Sequence, residues 1–313
     1  MFRLTCNITI GNLEFDYVHR VEVDSSWKLL TDTAEIMLPK KLKLGNQKIT
    51  DIIKTGQAVN IQLGYDDQNL TYFDGYVTSI TPNIPFTVKC EDEMWQLKRK
   101  NITINWPGGK LSDLISKIAP GYTVQCFDAV LSPISRANIT PASILNELKS
   151  IYGIRSFFQN KILYVGFAYP LKNKEVIYDF YQNIISNNLV FRVKEENLVT
   201  IKGISVQPTG QKYEVELGDK GGEIITLSIP GLDFANLKKF VQMELDRIKV
   251  DGYKGSFTTF GEPFAQHGMT AILYDDEYPE RAGNFLIDAV KTTFGMDGFR
   301  HITTLGPKST IAA

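Results

Sequence analysis

Apolar and polar side chains alternate one for one through much of the first hundred residues. Val21 and Val23 bracket Glu22; Val59, Ile61 and Leu63 bracket Asn60 and Gln62; Phe86, Val88 and Cys90 bracket Thr87 and Lys89. A period of two puts one set of side chains on a buried sheet face and the other toward solvent. Turn-forming clusters separate the runs: Gly45-Asn46, Gly64-Tyr65-Asp66-Asp67 and Thr81-Pro82-Asn83. Several short strands at this spacing predict an antiparallel sandwich or barrel over residues 1–100.

The period then changes. In GGKLSDLISKIAPG, Leu111, Leu114, Ile115 and Ile118 fall on one helical face, and Pro120-Gly121 stops the helix. In ITPASILNELKSIYG, Thr140 is an N-cap and Pro141 occupies the first helical position, where its missing N–H costs little. Ile144, Leu145, Leu148 and Ile151 make the apolar stripe, and Gly153 is placed as the C-terminal cap. SFFQNKILYVG then predicts a hairpin turning at Gln159-Asn160-Lys161. Residues 101–168 therefore read as a small α/β unit.

Asn183, Asn187 and Asn188 interrupt any periodicity over 169–195, which reads as a connector with one or two short strands. Strand alternation returns near 198, with Tyr213, Val215 and Leu217 against Glu214 and Glu216. A helix follows at about 234–249, capped by Asp233, with Leu237, Phe240, Val241 and Ile248 on one face. Four more strand-like runs close the chain: GSFTTFG, MTAILYD, NFLIDAVKTTF and FRHITTLG. The class is α+β, mainly β, with a second barrel expected over 196–313. The first and last thirds could be two versions of one barrel, although their sequences show no identity.

Composition narrows function. The 313 residues are 43% hydrophobic and 22% charged, which is ordinary for a globular chain with a sizeable core. Net charge is −1, so the cationic excess on which non-specific nucleic-acid binding rests is missing. The one dense basic cluster, Lys98-Arg99-Lys100, reads as a solvated turn. No apolar run has the length of a bilayer span, and the N-terminus lacks the apolar centre of a secretory signal. Three widely spaced cysteines, Cys6, Cys90 and Cys126, argue for a reducing compartment rather than a disulfide framework. In that setting the four N-x-T sequons, beginning at Asn7, Asn69, Asn101 and Asn138, are read as chance.

Reactive constellations are sparse. His19, His267 and His301 have no histidine or cysteine at ligand spacing, whereas a zinc site needs three or four such groups together. No G-x-S-x-G elbow is present. Cys90 lies on the apolar side of a strand, and Cys90 and Cys126 both read as structural thiols. GPKST has Pro307 where a phosphate loop needs glycine, PGGKL has Leu111 where the magnesium-binding hydroxyl belongs, and GDKGGE lacks dinucleotide spacing. Two carboxylate groups remain, Glu91-Asp92-Glu93 and Asp275-Asp276-Glu277. The second leads into Tyr278-Pro279-Glu280 and reads as a solvated turn; paired carboxylates acting on a glycan are the alternative. Trp27, Trp95 and Trp106 lie near strand ends, as core residues or as interface anchors.

Two stretches carry a resemblance. FDGYVTSITPNIPFTVKCEDEMWQLKRK, residues 73–100, resembles a recurring segment of phage tail hub proteins through Gly75, Val77, Ile80, Pro82, Cys90, Glu91, Asp92, Trp95 and Leu97. Residues 252–306 resemble the closing barrel of the same proteins through Gly255, Phe257, Gly261, Pro263, Gly268, Gly283, Val290, Gly298 and Phe299. The capped helix ahead of IYGIRSFFQNKILYVG is similar to the small insertion between their barrels. The family comprises phage late control protein D, the 43 kDa tail hub of Mu-like phages and the N-terminal part of type VI secretion spikes. The resemblance implies a non-enzymatic baseplate hub in the virion of a phage or prophage. It implies a homotrimer with two tube-type barrels per subunit, so that six barrels ring a channel and adapt a hexameric tail tube to a trimeric spike. Tube, spike and other baseplate proteins would be the partners, with no cofactor, metal, nucleic-acid specificity or membrane insertion. A cell-wall-active enzyme or a carbohydrate-binding β module of a phage particle is the alternative. Because the chain ends at Ala313, no fused lysozyme or spike helix is expected, and GPKSTIAA is expected to be a flexible or partner-binding tail.

Overall fold

The computed structural model describes residues 3–39, 43–44, 47–48, 52–82, 84–166, 174–196, 198–207, 209–249, 251–279 and 282–308. The expected turn at Gly45-Asn46, Asn83, Glu280 and the chain after Lys308 lie outside the described residues.

The alternating segments become β1 (Leu4–Ile10), β2 (Leu13–Phe15), β3 (Arg20–Ser26), β4 (Thr33–Leu38), β5 (Lys43–Leu44), β6 (Gln47–Lys48), β7 (Ala58–Tyr65), β8 (Gln68–Thr81) and β9 (Phe86–Glu91). The apolar members of each pair point inward: Val21, Val23, Val59, Ile61, Leu63, Phe86, Val88 and Cys90 share one core. Asp66 and Asp67 both adopt positive φ (49° and 67°), the backbone that lets a two-residue turn match strand twist.

Residues 92–100 depart from expectation. They form a short helix, α1 (Met94–Arg99), rather than a solvated basic turn. Met94 and Leu97, three apart, are buried on the next unit's core, and the Asp92 carboxylate accepts the Met94 N–H at 3.0 Å. Lys98 pairs with Glu91 at 2.6 Å, and the Arg99 guanidinium lies 4.4 Å from the Trp95 ring centroid.

The middle unit holds β10 (Ile102–Trp106), β11 (Gly109–Lys110), α2 (Leu111–Ile118), β12 (Thr123–Cys126), β13 (Val130–Leu131), β14 (Ile134–Ile139), α3 (Pro141–Tyr152), β15 (Arg155–Gln159) and β16 (Ile162–Gly166). The Thr140 side chain accepts the Ser143 N–H at 3.2 Å, and Gly153 closes α3 at φ 69°. Such a cap is worth about 1 kcal/mol. Ile144, Leu145 and Leu148 are buried as the stripe requires, whereas Ile151 is half exposed because it lies past the edge of the buried face. The β15–β16 hairpin turns on Asn160 and Lys161, both at positive φ.

The last part contains β17 (Glu175–Asp179), β18 (Ile184–Asn187), β19 (Val190–Arg192), β20 (Val199–Val206), β21 (Lys212–Gly218), β22 (Glu223–Ser228), α4 (Phe234–Ile248), β23 (Gly252–Lys254), β24 (Ser256–Phe260), β25 (Thr270–Tyr274), β26 (Gly283–Gly295) and β27 (Gly298–Lys308). The stretch read as a connector thus contributes β17 and β18 to the main sheet. The segment around α4 packs β20, β21 and β22 into a core of its own, with Leu237 and Val241 against Val199, Ile201 and Val215. Gly203 makes this possible: a Cβ there would sit 2.3 Å from Val241.

One 13-stranded sheet runs through both ends of the chain, in the order β18-β24-β27-β26-β3-β4-β9-β8-β7-β1-β2, with β25 and β17 continuing from β26. Within it a five-strand pattern occurs twice. β3-β4-β9-β8-β7 in the first unit matches β18-β24-β27-β26-β25 in the last, strand for strand in chain order and all antiparallel. The same bulge recurs. The β8–β9 register slips between Val77 and Ser79, and the β26–β27 register slips between Ile287 and Ala289. Each repeat encloses its own core, but no ladder pair joins β2 to β3 or β17 to β18 among the described residues, so neither repeat closes fully by hydrogen bonds.

Candidate assembly interface

Most of the groups considered for chemistry are buried or held by structural contacts. His19 is exposed, while His267 and His301 are buried with no hydrogen-bond partner on either ring nitrogen. Glu91 pairs with Lys98, and Glu93 accepts the hydroxyls of Tyr76 and Tyr122, at 3.2 and 2.7 Å. Burial, and then the neighbouring Asp32 charge, push the Asp92 carboxyl well above the ordinary range. Asp275 accepts the Tyr253 hydroxyl and the Tyr278 N–H, and Glu277 accepts the Tyr181 hydroxyl. Burial pushes the Cys90 thiol to about 12 and the Cys126 thiol to about 11, opposite to what a nucleophile needs. Among the described residues, no three His, Cys, Asp or Glu side chains converge as a metal site, and no helix is long and apolar enough to cross a membrane.

Most of the residues that carried the resemblance sit in the two repeats or where they meet, while Trp95 and Leu97 lie on α1. Gly75 lies within β8, where a Cβ would come 2.2 Å from the Glu91 carbonyl oxygen. Trp95 on α1 stacks on Tyr76, with ring centroids 5.3 Å apart. Phe257 is buried in the last unit's core, edge-on to Tyr178 at 4.7 Å. Gly255 precedes β24 and its carbonyl accepts the Leu305 N–H, Gly268 donates to the Ile287 carbonyl, Gly283 opens β26 beside Lys308, and Gly298 opens β27. Gly261 and Pro263 belong to the segment after β24 that packs on the first unit. The Tyr72 hydroxyl of β8 donates to the Gly261 carbonyl at 3.1 Å.

That contact anchors an aromatic seam. Tyr72 lies 5.1 Å from Phe264, 5.4 Å from Phe299 and 5.4 Å from His301 by ring centroids. Phe294 and Phe299, from the β26–β27 hairpin, are counted in the first unit's core. Each such ring pair is worth about 0.5–1.5 kcal/mol beyond its buried area. Burial lowers the His301 pKa to about 4, so the ring stays neutral inside the seam. Beside the seam, β3 and β26 pair antiparallel over seven residues, Ser26 to Arg20 against Ala289 to Gly295, and Lys291 crosses the joint to Glu22 at 2.8 Å.

A second junction ties in the middle unit. The Trp27 indole N–H donates to Asp288 Oδ1 at 2.9 Å, Lys28 reaches Asp288 Oδ2 at 2.5 Å, and the Arg155 guanidinium lies 4.4 Å from the Trp27 ring centroid. The bulge at Asp288 turns this carboxylate toward the other units. Trp27 is therefore a buried anchor between units of one chain, while Trp106 belongs to the middle core. Sequence reasoning missed Asp288, Arg155 and Asp32, because only the fold brings them beside their partners.

No protein-family model and no curated protein matches the chain. Solved structures do. A tail protein from Neisseria meningitidis is 15% identical, with 98% of this chain and 97% of that one covered at a TM-score of 0.66. The 43 kDa tail protein of prophage MuSo2 from Shewanella oneidensis is 17% identical, with 96% and 97% covered at a TM-score of 0.64. An Escherichia coli type VI secretion component, described as structurally similar to the T4 bacteriophage tail proteins gp27 and gp5, is 11% identical, with 97% and 77% covered at a TM-score of 0.63. The chain has, over nearly its whole length, the fold of phage tail proteins and of this related secretion component.

Proposed function

We propose that the chain is a structural subunit of a phage-tail-like baseplate, a hub in which three copies form a ring of six sheet repeats. The duplicated five-strand pattern on one continuous sheet carries this reading. Two repeats per chain give a three-chain ring pseudo-sixfold character, which suits it to lie between a hexameric tube and a trimeric spike. Closed cyclic assembly needs complementary edges, not a reactive pocket. His267, His301, Cys90, Glu91, Asp92, Glu93, Asp275 and Glu277 fit that role, since each is buried or engaged by a neighbouring side chain. The likeness to tail proteins and to a type VI component supports residence in a virion tail or a related injection apparatus, with tube and spike proteins as partners.

Light scattering of the purified chain tests the ring. The expected mass is about 106 kDa, three times the 35.3 kDa subunit. A monomer at every concentration, with no ring density in a particle that contains the chain, would overturn it. Turnover of peptidoglycan by the unmodified protein, abolished by Asp276→Asn with Glu277→Gln, would favour the enzymatic alternative instead.

A further inference from the structure

The joint between the two repeats is a template for a second joint. β26 pairs with β25 only as far as Leu286; beyond a bulge, the same edge of β26 is taken over by β3 from Ala289 onward. The changeover is marked by two hydrogen bonds: the Gly268 N–H donates to the Ile287 carbonyl, and the Ile287 N–H to the Met269 carbonyl. The first repeat has the same marker. There the Gly56 N–H donates to the Val77 carbonyl and the Val77 N–H to the Gln57 carbonyl, and the β7 ladder stops at Tyr76. Past this point β8 runs on through Thr78–Thr81, and among the described residues no strand pairs with that edge.

The strand that would fill it is also unpartnered. β3 in the first repeat corresponds to β18 and its continuation β19 in the last. The register follows from shared partners. Val77 faces Cys90 as Ile287 faces Leu305, so Val88 matches Thr303. Their neighbours are Ile36 and Phe257, whose own neighbours are Val21 and Asn187. Val21 thus matches Asn187, and Asp24 matches Val190. β18 and β19 pair on one side with β24 and β23, and on the other with nothing among the described residues. Two exposed apolar side chains flank these edges: Ile84, 72% exposed, follows β8, and Val190, 58% exposed, lies on β19. An open edge bordered by apolar side chains invites pairing with another chain.

We infer that β8 of one copy pairs antiparallel with β18–β19 of the next copy, repeating between chains the β26–β3 joint made within the chain. The inference rests on the ring proposed above and adds its register. Lys291 faces Asp24 in the internal joint, so Thr81 of one copy faces Val190 of its neighbour, and Ser79 faces Arg192. The contact is heterologous, because two different edges meet, and a heterologous contact whose rotation closes makes a ring.

The test uses Thr81→Cys and Val190→Cys in a Cys126→Ser background, joined by a short thiol-specific cross-linker at the concentration where three-chain mass is seen. Mixing the two single variants should give a cross-linked dimer, each single variant alone should give none, and the double variant should give a covalent ladder ending at three chains. Val190→Lys should raise the concentration of half-assembly at least tenfold with an unchanged far-ultraviolet circular dichroism spectrum. A ring of three chains without the 81–190 product overturns the pairing and leaves the ring standing. No oligomer, alone or in particles, overturns the ring and the pairing with it.

Discussion

His301 makes the packing of the seam measurable as a dependence of stability on pH. The ring is fully buried between Tyr72 and Phe299, with no hydrogen-bond partner on either nitrogen. Loss of water disfavours the charged form, and the pKa falls from 6.5 to about 4. The folded state therefore binds this proton less readily than the unfolded chain. Stability from the neutral ring is fully present above pH 6.5 and is lost as pH falls through that value toward 4. A difference of about 2.5 units corresponds to about 3 kcal/mol, with a steepest slope of about 1.4 kcal/mol per pH unit near pH 5. His301→Leu removes the titration and places an apolar side chain among the rings, so stability at pH 7 should change by about 1 kcal/mol or less. Urea unfolding followed by tryptophan fluorescence at pH 7, 6, 5 and 4.5 gives both curves. Carboxylates titrate in the same window in both proteins, so the difference between the curves is the quantity of interest. Parallel curves would refute a neutral His301 held in an unsolvated seam.

Asp92 has the opposite sign: its folded pKa is raised, so its contribution is present below the ordinary carboxylate range and is lost as pH rises through the raised value. Asp92→Asn should flatten that decline in urea midpoints, at the cost of one of the two backbone N–H bonds, from Asp32 and Met94, that the carboxylate accepts. Gly261→Ala should destabilise by about 1–3 kcal/mol, because the new Cβ would lie 2.1 Å from the Phe299 ring and the seam must open; an unchanged melting temperature would contradict the packing described. Trp27→Phe removes the N–H donated to the buried Asp288 and should cost about 1–3 kcal/mol. Adding Asp288→Ala should recover part of that loss, as a double-mutant cycle would register.

Much of the secondary structure was legible locally. Period two over β3, β7 and β9 named the inward residues correctly, and Thr140, Gly153 and Asp233 marked helix ends by side-chain and backbone chemistry that acts within a few residues. The helix α1 was hidden, because its six residues are too few to show a period and Asp92, which accepts the Met94 N–H, stands in a run of acids that also suits a turn. Short strands were expected over 169–195, but the place of β17 in the main sheet was hidden for another reason. The strand pairs in parallel with β25, about ninety-five residues downstream, and its Asn-rich surroundings break the alternation. The positions that carried the resemblance were legible as residues but not in their roles. Gly261 matters because the Phe299 ring arrives from a strand forty residues away, and Gly75 because the Glu91 carbonyl crosses above it.

What the sequence determined by itself is the class: a mainly β chain with capped helices in its middle third and no cationic excess. These follow from composition and from interactions between near neighbours along the chain. The tertiary structure alone decided that the first and last parts repeat one strand order with the same bulge, and that β3 joins β26 across more than 260 residues into one sheet. Strand pairing is carried by backbone groups that every residue but proline possesses, so the same ladder forms on two dissimilar sequences. Its edges are specified by which strands lie beside one another, not by any residue that could be read in advance.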